Sequence, residues 1–129
     1  MKTILKHSTI FCFAILLMFS ASSCKKEGTG GKSSISGNVK HHTKLIPNAI
    51  VYIKYGATEF PGIDVLLYDD QITSDTNAHY EFKNLQKGDY YLYGVGRDIT
   101  GFNSLTVTGG VGTKLKYNKS STIDVPVTE

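Results

Sequence analysis

Five side chains in three short stretches have the types and spacing of a recognition surface: Tyr52, His79, Glu81, Tyr91 and Tyr93. Successive side chains of an extended chain point to opposite sides, so residues two apart share a face. Tyr52 then lies with Ile50 and Lys54, His79 with Glu81 and Lys83, and Tyr91 with Tyr93 and Val95. Tyrosine joins a flat apolar ring to a hydroxyl, which suits it to protein-interface cores and to stacking on sugar rings. The competing reading is that tyrosine is frequent on strands whatever their surface does. The chemistry expected of such a face is recognition, with no bond made or broken.

The other polar groups offer little for catalysis or metal binding. His41 and His42 are adjacent, so on a strand they point apart; they are expected in the loop before Pro47. A zinc site needs three or four converging ligands, and Asp69, Asp70 and Asp75 do not have the spacing of a calcium loop. The run Gly109-Gly110-Val111-Gly112-Thr113-Lys114 lacks the Gly-Lys-Ser/Thr adjacency of a phosphate loop and precedes strand-like sequence. It reads as a connection between strands. No nucleophile-elbow motif occurs. The sequence therefore implies no cofactor, no metal and no catalytic residue.

One residue is placed for covalent modification. Met1, Lys2 and Lys6 precede an apolar run from Ile10 to Phe19, followed by Ser20-Ala21-Ser22-Ser23-Cys24. A basic end, a short apolar core and small residues describe a secretory signal, too short to span a bilayer, which takes about 20 apolar residues. Ala21-Ser22-Ser23-Cys24 resembles the lipobox of bacterial lipoproteins. That resemblance implies cleavage after residue 23, lipid on Cys24 and a protein held at a membrane outside the cytoplasm. No Asp follows Cys24, which favours the outer membrane. The only other cysteine, Cys12, lies in the leader, so no disulfide is expected. Residues 24–33 are charged and glycine-rich and read as a flexible tether.

Residues 34–129 remain for one domain. From Ser33 onward nine Lys/Arg face ten Asp/Glu, and the basic footprint of a nucleic-acid binder is missing. No long stretch carries apolar residues at helical spacing. Short β-branched and aromatic runs alternate instead with Gly, Asn and Asp, at Ile35–Val39, Ala49–Tyr55, Asp64–Tyr68, His79–Phe82, Tyr90–Val95, Leu105–Val107, Lys114–Tyr117 and Thr122–Val127. Seven or eight such strands predict an all-β sandwich.

Two motifs sharpen this. Ile35-x-Gly37-x-Val39 with Ile46-Pro47-Asn48-Ala49-x-Val51, and Ser74-Asp75-Thr76-Asn77-Ala78-His79-Tyr80-x-Phe82-x-x-Leu85-x-x-Gly88-x-Tyr90-x-Leu92, resemble carboxypeptidase regulatory-like domains, which are transthyretin-like sandwiches. The resemblance covers Ser34 to Val95. It implies that the strands bearing the tyrosines, His79 and Glu81 share one sheet, which would gather all five side chains on one face. The family's usual glycine is replaced by Ala78, so either Asn77 takes the left-handed conformation or the turn differs by one residue. Transthyretin-like hydrolases end in Tyr-Arg-Gly-Ser, whereas this chain ends Asp124-Val125-Pro126-Val127-Thr128-Glu129. The alternation nominates Ala49, Val51, Ile53, Tyr80, Phe82, Tyr90 and Leu92 as core, and Ile35, Val39 and Leu85 are expected to join them. The expected role is a non-catalytic, lipid-anchored envelope module that binds a protein partner, or alternatively a polysaccharide through exposed tyrosines.

Overall fold

The computed structural model describes residues 26–129; Cys24 and the leader lie outside the described residues. Nine strands form an all-β sandwich: β1 (Thr29–His41), β2 (Lys44–Leu45), β3 (Ile50–Tyr55), β4 (Asp70–Thr73), β5 (His79–Leu85), β6 (Gly88–Asp98), β7 (Leu105–Leu115), β8 (Ser120–Thr122) and β9 (Val125–Val127). In one sheet β1 pairs antiparallel with β2 and β5 and parallel with β8 and β9. The other sheet runs β4-β3-β6-β7, antiparallel throughout. No helix among the described residues is long and apolar enough to cross a membrane.

All ten residues nominated for the core are buried between the sheets. Ile46, Val107, Leu115, Val125 and Val127 complete the cluster. The period-two pattern works because each of these strands covers its inner face with side chains of the other sheet, and full burial of one such side chain contributes about 1.5–3 kcal/mol.

Four expectations need correction. Gly30 and Gly31, read as part of a tether, belong to β1, which begins at Thr29 with a bulge between Thr29 and Ser33. Gly31 is required there because a Cβ would coincide with the Leu85 carbonyl; these glycines permit close backbone approach. Asp64–Tyr68 is no strand. Asp64 caps a 3-10 turn, Val65–Leu67, by accepting from the Leu66 amide at 3.0 Å, and the strand is the more polar Asp70–Thr73 that follows. The run Gly109–Lys114 lies within the single strand β7 rather than between two. Thr122–Val127 divides into β8 and β9 at Ile123-Asp124.

The turn before β5 resolves differently from either alternative. Ala78 itself is left-handed, with φ +61°, a conformation that costs a non-glycine residue roughly 1–2 kcal/mol. The surrounding bonds hold it there. Asp75 Oδ1 accepts from the Asn77 and His79 amides at 2.8 and 2.9 Å, and the Val39 amide donates to the Ala78 carbonyl.

Tyr90 is the link between the N-terminal strand and the central one. Its ring is fully buried, and its hydroxyl donates to the Gln86 carbonyl at 2.7 Å while accepting from the Gly28 amide at 2.9 Å. A tyrosine bonding back to backbone a few residues upstream is a recurrent sandwich device. Removing the hydroxyl strands a buried N–H, at a cost of about 1–3 kcal/mol. Tyr90→Phe should therefore lower the urea midpoint without altering the slope, and hydrogen exchange should rise first at residues 28–32. Unchanged exchange there would show that Tyr90 does not hold this segment.

Candidate functional site

Sheet pairing decides which predicted site residues meet. Tyr52 on β3 is directly opposite Tyr93 on β6, and Tyr91 follows at same-face spacing. The structure brings these three together on the outer face of the β4-β3-β6-β7 sheet. His79 and Glu81 do not join them. β5 pairs with β1, Asn38 opposite His79 and Ser36 opposite Glu81, so both lie on the other sheet, on the opposite side of the sandwich. There Glu81 pairs with Lys83 at 3.3 Å. The expectation of five residues on one face is corrected to three.

The tyrosine face is also covered rather than open. Residues 56–69 leave the end of β3 and fold back over it as a cap. Tyr68 stacks on Tyr93 at 5.5 Å and 16°, and Tyr52 lies 5.8 Å from Tyr68. Phe60 packs on Tyr91 and Tyr93 at 6.0 and 5.5 Å. Tyr91 and Tyr93 are consequently only 8% and 5% exposed. Burial, then Tyr91 and Tyr93, pushes the Tyr68 hydroxyl up to about 12; burial, then Tyr93, also raises Tyr91. The Tyr68 hydroxyl donates to the Gly62 carbonyl at 2.9 Å, which fastens the cap to itself.

β7 shows why the cap can approach. A Cβ on Gly112 would coincide with the Thr58 carbonyl, and one on Gly110 would lie 2.7 Å from the Tyr91 ring. The glycine run that superficially matched a phosphate loop is the smooth floor on which the cap and the Tyr91 ring rest. Its sequence signal was glycine inside a strand pattern, which marks close approach of another backbone.

Between the cap and β7 a cleft of 390 Å³ remains, lined by Phe60, Ile63, Tyr91, Tyr93, Thr108 and Gly109–Gly110. Phe60, Ile63 and Leu66 project from the cap at 51%, 78% and 87% exposure. Ring edges, a threonine hydroxyl and strand backbone can offer stacking and a few hydrogen bonds to an uncharged ligand. A second depression, of 510 Å³, includes Ile50, Val95, Arg97 and Ile99, but it has no aromatic wall. No group of three His, Cys, Asp or Glu side chains among the described residues is placed to hold a metal.

A polar cluster around the buried His41 and Asp98 marks the far end of the sandwich, away from the tyrosines. His41, expected in a loop, ends β1 and is buried. Its Nδ1 lies 2.9 Å from Asp98 Oδ2, and its Nε2 is 3.0 Å from Glu129 Oε2 but poorly aligned for a hydrogen bond. His42 follows in the turn at φ +55°, its ring 4.6 Å from that of His41. The Thr100 hydroxyl, then His41 and the Thr100 amide, hold the Asp98 carboxyl far below the usual carboxylate range.

No family model matches the chain, and no curated protein does. Among solved structures it is similar to the crystal structure of "a putative carbohydrate binding protein" from Pseudomonas aeruginosa, with a TM-score of 0.54 and 14% identity. The match covers 77% of this chain and 90% of that one. At this identity the likeness shows the fold.

Two measurements check the local chemistry. Gly112→Val should push Thr58 off β7 and release the cap, seen as a change in tyrosine fluorescence and rapid proteolysis within residues 56–69 while the sandwich stays folded. A cap as protected as in the wild type would refute the close-packing account. Asp98 has a folded pKa below its unfolded one, so its stabilisation is full above an ordinary carboxylate pKa of about 4 and is lost as pH falls through and below it. Asp98→Asn should lower the melting temperature at neutral pH and flatten its fall in acid. A fall as steep as that of the wild type would exclude Asp98 as a contributor.

Proposed function

We propose that this chain is a non-catalytic binding module, held at the cell envelope through lipid on Cys24, whose cleft between the cap and β7 takes a saccharide. The aromatic lining of that cleft carries the reading. The Phe60 ring lies 6.0 Å from that of Tyr91 and 5.5 Å from that of Tyr93, beside an open 390 Å³ space, a volume in the range of small-molecule sites, roughly 300–1,000 Å³. A sugar ring offers an apolar C–H face to such rings and hydroxyls to Thr108, the tyrosine hydroxyls and strand backbone. The likeness to a Pseudomonas protein described as a putative carbohydrate binder supports the same ligand class. The resemblance of Ile46-Pro47-Asn48-Ala49 and Tyr80–Leu92 to carboxypeptidase regulatory-like modules supports an accessory role, and the outer membrane is the proposed location.

A second reading, docking on an envelope protein, is favoured by one observation. Ile63 and Leu66 on the cap are largely exposed, and branched aliphatic side chains suit a protein interface better than a sugar.

Affinity electrophoresis of residues 26–129 through a panel of polysaccharides tests the proposal. Retention should occur on at least one glycan and fall by roughly thirtyfold in affinity for Tyr91→Ala or Phe60→Ala, as loss of an anchoring aromatic of about 2 kcal/mol requires. Absence of retention on every glycan, together with a single envelope partner crosslinked in intact cells and lost with Leu66→Ser, would overturn it for the second reading.

A further inference from the structure

The described chain is electrically neutral, with eleven Lys/Arg and eleven Asp/Glu over residues 26–129, yet its charges are not mixed evenly. One pole collects the cations. There the Gln86 amide donates to the Gly28 carbonyl and the Gly56 amide to the Asp89 carbonyl. Gly88 pairs with Leu115, and Ser33 Oγ donates to the Lys116 carbonyl at 2.9 Å. These contacts bring together residues 26–33, 85–89 and 114–119. Their charged side chains are Lys26, Lys32, Lys87, Lys114, Lys116 and Lys119, against Glu27 and Asp89 alone.

All six lysines are exposed. Lys26, Lys87 and Lys114 line one depression of 520 Å³ together with Glu27 and Asp89. Lys114 lies 3.6 Å from Asp89; Lys54 beside this pole is matched by Asp69 at 3.3 Å. Tyr117 stands at the same pole, 68% exposed, and tyrosine is a residue of membrane–water interfaces. The remainder of the domain carries the compensating excess of acid.

The pole is also where the chain leaves toward Cys24, since Lys26 is the first described residue and Gly28 is fixed against Tyr90 and Gln86. We infer that this lysine-rich pole is a membrane-contacting surface, which docks on the anionic headgroups of the bilayer beneath the domain. Lysines near a negative surface each add an attraction equivalent to about fivefold in affinity, and this attraction decays within a Debye length. One acyl chain anchors only marginally, and a basic patch is a sufficient second signal. The inference shares with the proposed function its placement at a membrane, but it needs neither the saccharide cleft nor the lipid.

The test is co-sedimentation of residues 26–129, which contain both sheets and the whole core, with vesicles of neutral phosphatidylcholine or of the same lipid mixed with anionic phosphatidylglycerol. Binding should require the anionic lipid and weaken as salt rises. Lys87→Ser, Lys114→Ser and Lys116→Ser together should lower it by about a hundredfold with no change in melting temperature. Lys40→Ser with Lys44→Ser, on the far half of the molecule, should leave it unchanged. Equal sedimentation with neutral vesicles, no binding to either, or equal loss from the Lys40 and Lys44 changes would each overturn the inference. Glycan retention is measured without vesicles, so either idea can fail alone.

Discussion

β6 is buried on both of its faces, and most of the structure follows from that constraint. Its inner side chains, Tyr90 and Leu92, close the core, while Tyr91 and Tyr93 on its outer side are equally shielded from water. A strand of this kind needs a second layer beyond its own sheet. Here the layer is a connection of 14 residues, 56–69, without a strand of its own. The cap is therefore the structural requirement of two outward tyrosines and, at its margin, the wall of the cleft. Covering the strand and lining the cleft use the same rings.

How far the sequence reveals this depends on which interaction sets each feature. Alternation was enough for most of the core, because a residue's side of a strand is a local property; Ala49, Val51, Ile53, Tyr80, Phe82, Tyr90 and Leu92 fall where the period of two puts them. Leu85 instead turns inward three residues after Phe82, because Asn84 is left-handed at φ +57°. Partner choice between strands is not local. His79 and Glu81 have the correct outward register, but β5 turned to β1 instead of β3 or β6, and nothing in His79-Tyr80-Glu81-Phe82 states its neighbour. The glycines misled for a related reason. Gly31 and Gly112 suggest flexibility or a loop when read singly, whereas each marks a place where another backbone comes too close for a Cβ. The cap was the least legible element: Val65-Leu66-Leu67 is apolar enough for a buried strand, and only Asp64 in front of it signals a turn.

Ala78 shows how tertiary bonds override a local preference. Glycine would be the unstrained choice at φ +61°, but the Asp75 carboxylate and the Val39 amide fix the backbone on both sides of the residue. The turn keeps its shape with a side chain that disfavours it. Glycine is thus a means of reaching this geometry and not a condition for it, and Ala78 leaves the entry into β5 intact.

The parallel pairing of β1 with β8 and β9 has a consequence for the order in which the molecule can form. Ser34 and Ser120, 86 positions apart, share a hydrogen bond, and Val39 is the register partner of Val125. Contacts of such separation are slow to close, because the entropy of the intervening chain is lost before they are gained. As a chain emerges from its N-terminus, β1 has β2 and β5 beside it early, but its other edge stays open until residues 120–127 arrive. During that interval the unpaired edge is a template for association with a neighbouring chain. Completion of the last strand, rather than of any hairpin, is the event that turns this polypeptide from an aggregation-competent sheet into a closed sandwich.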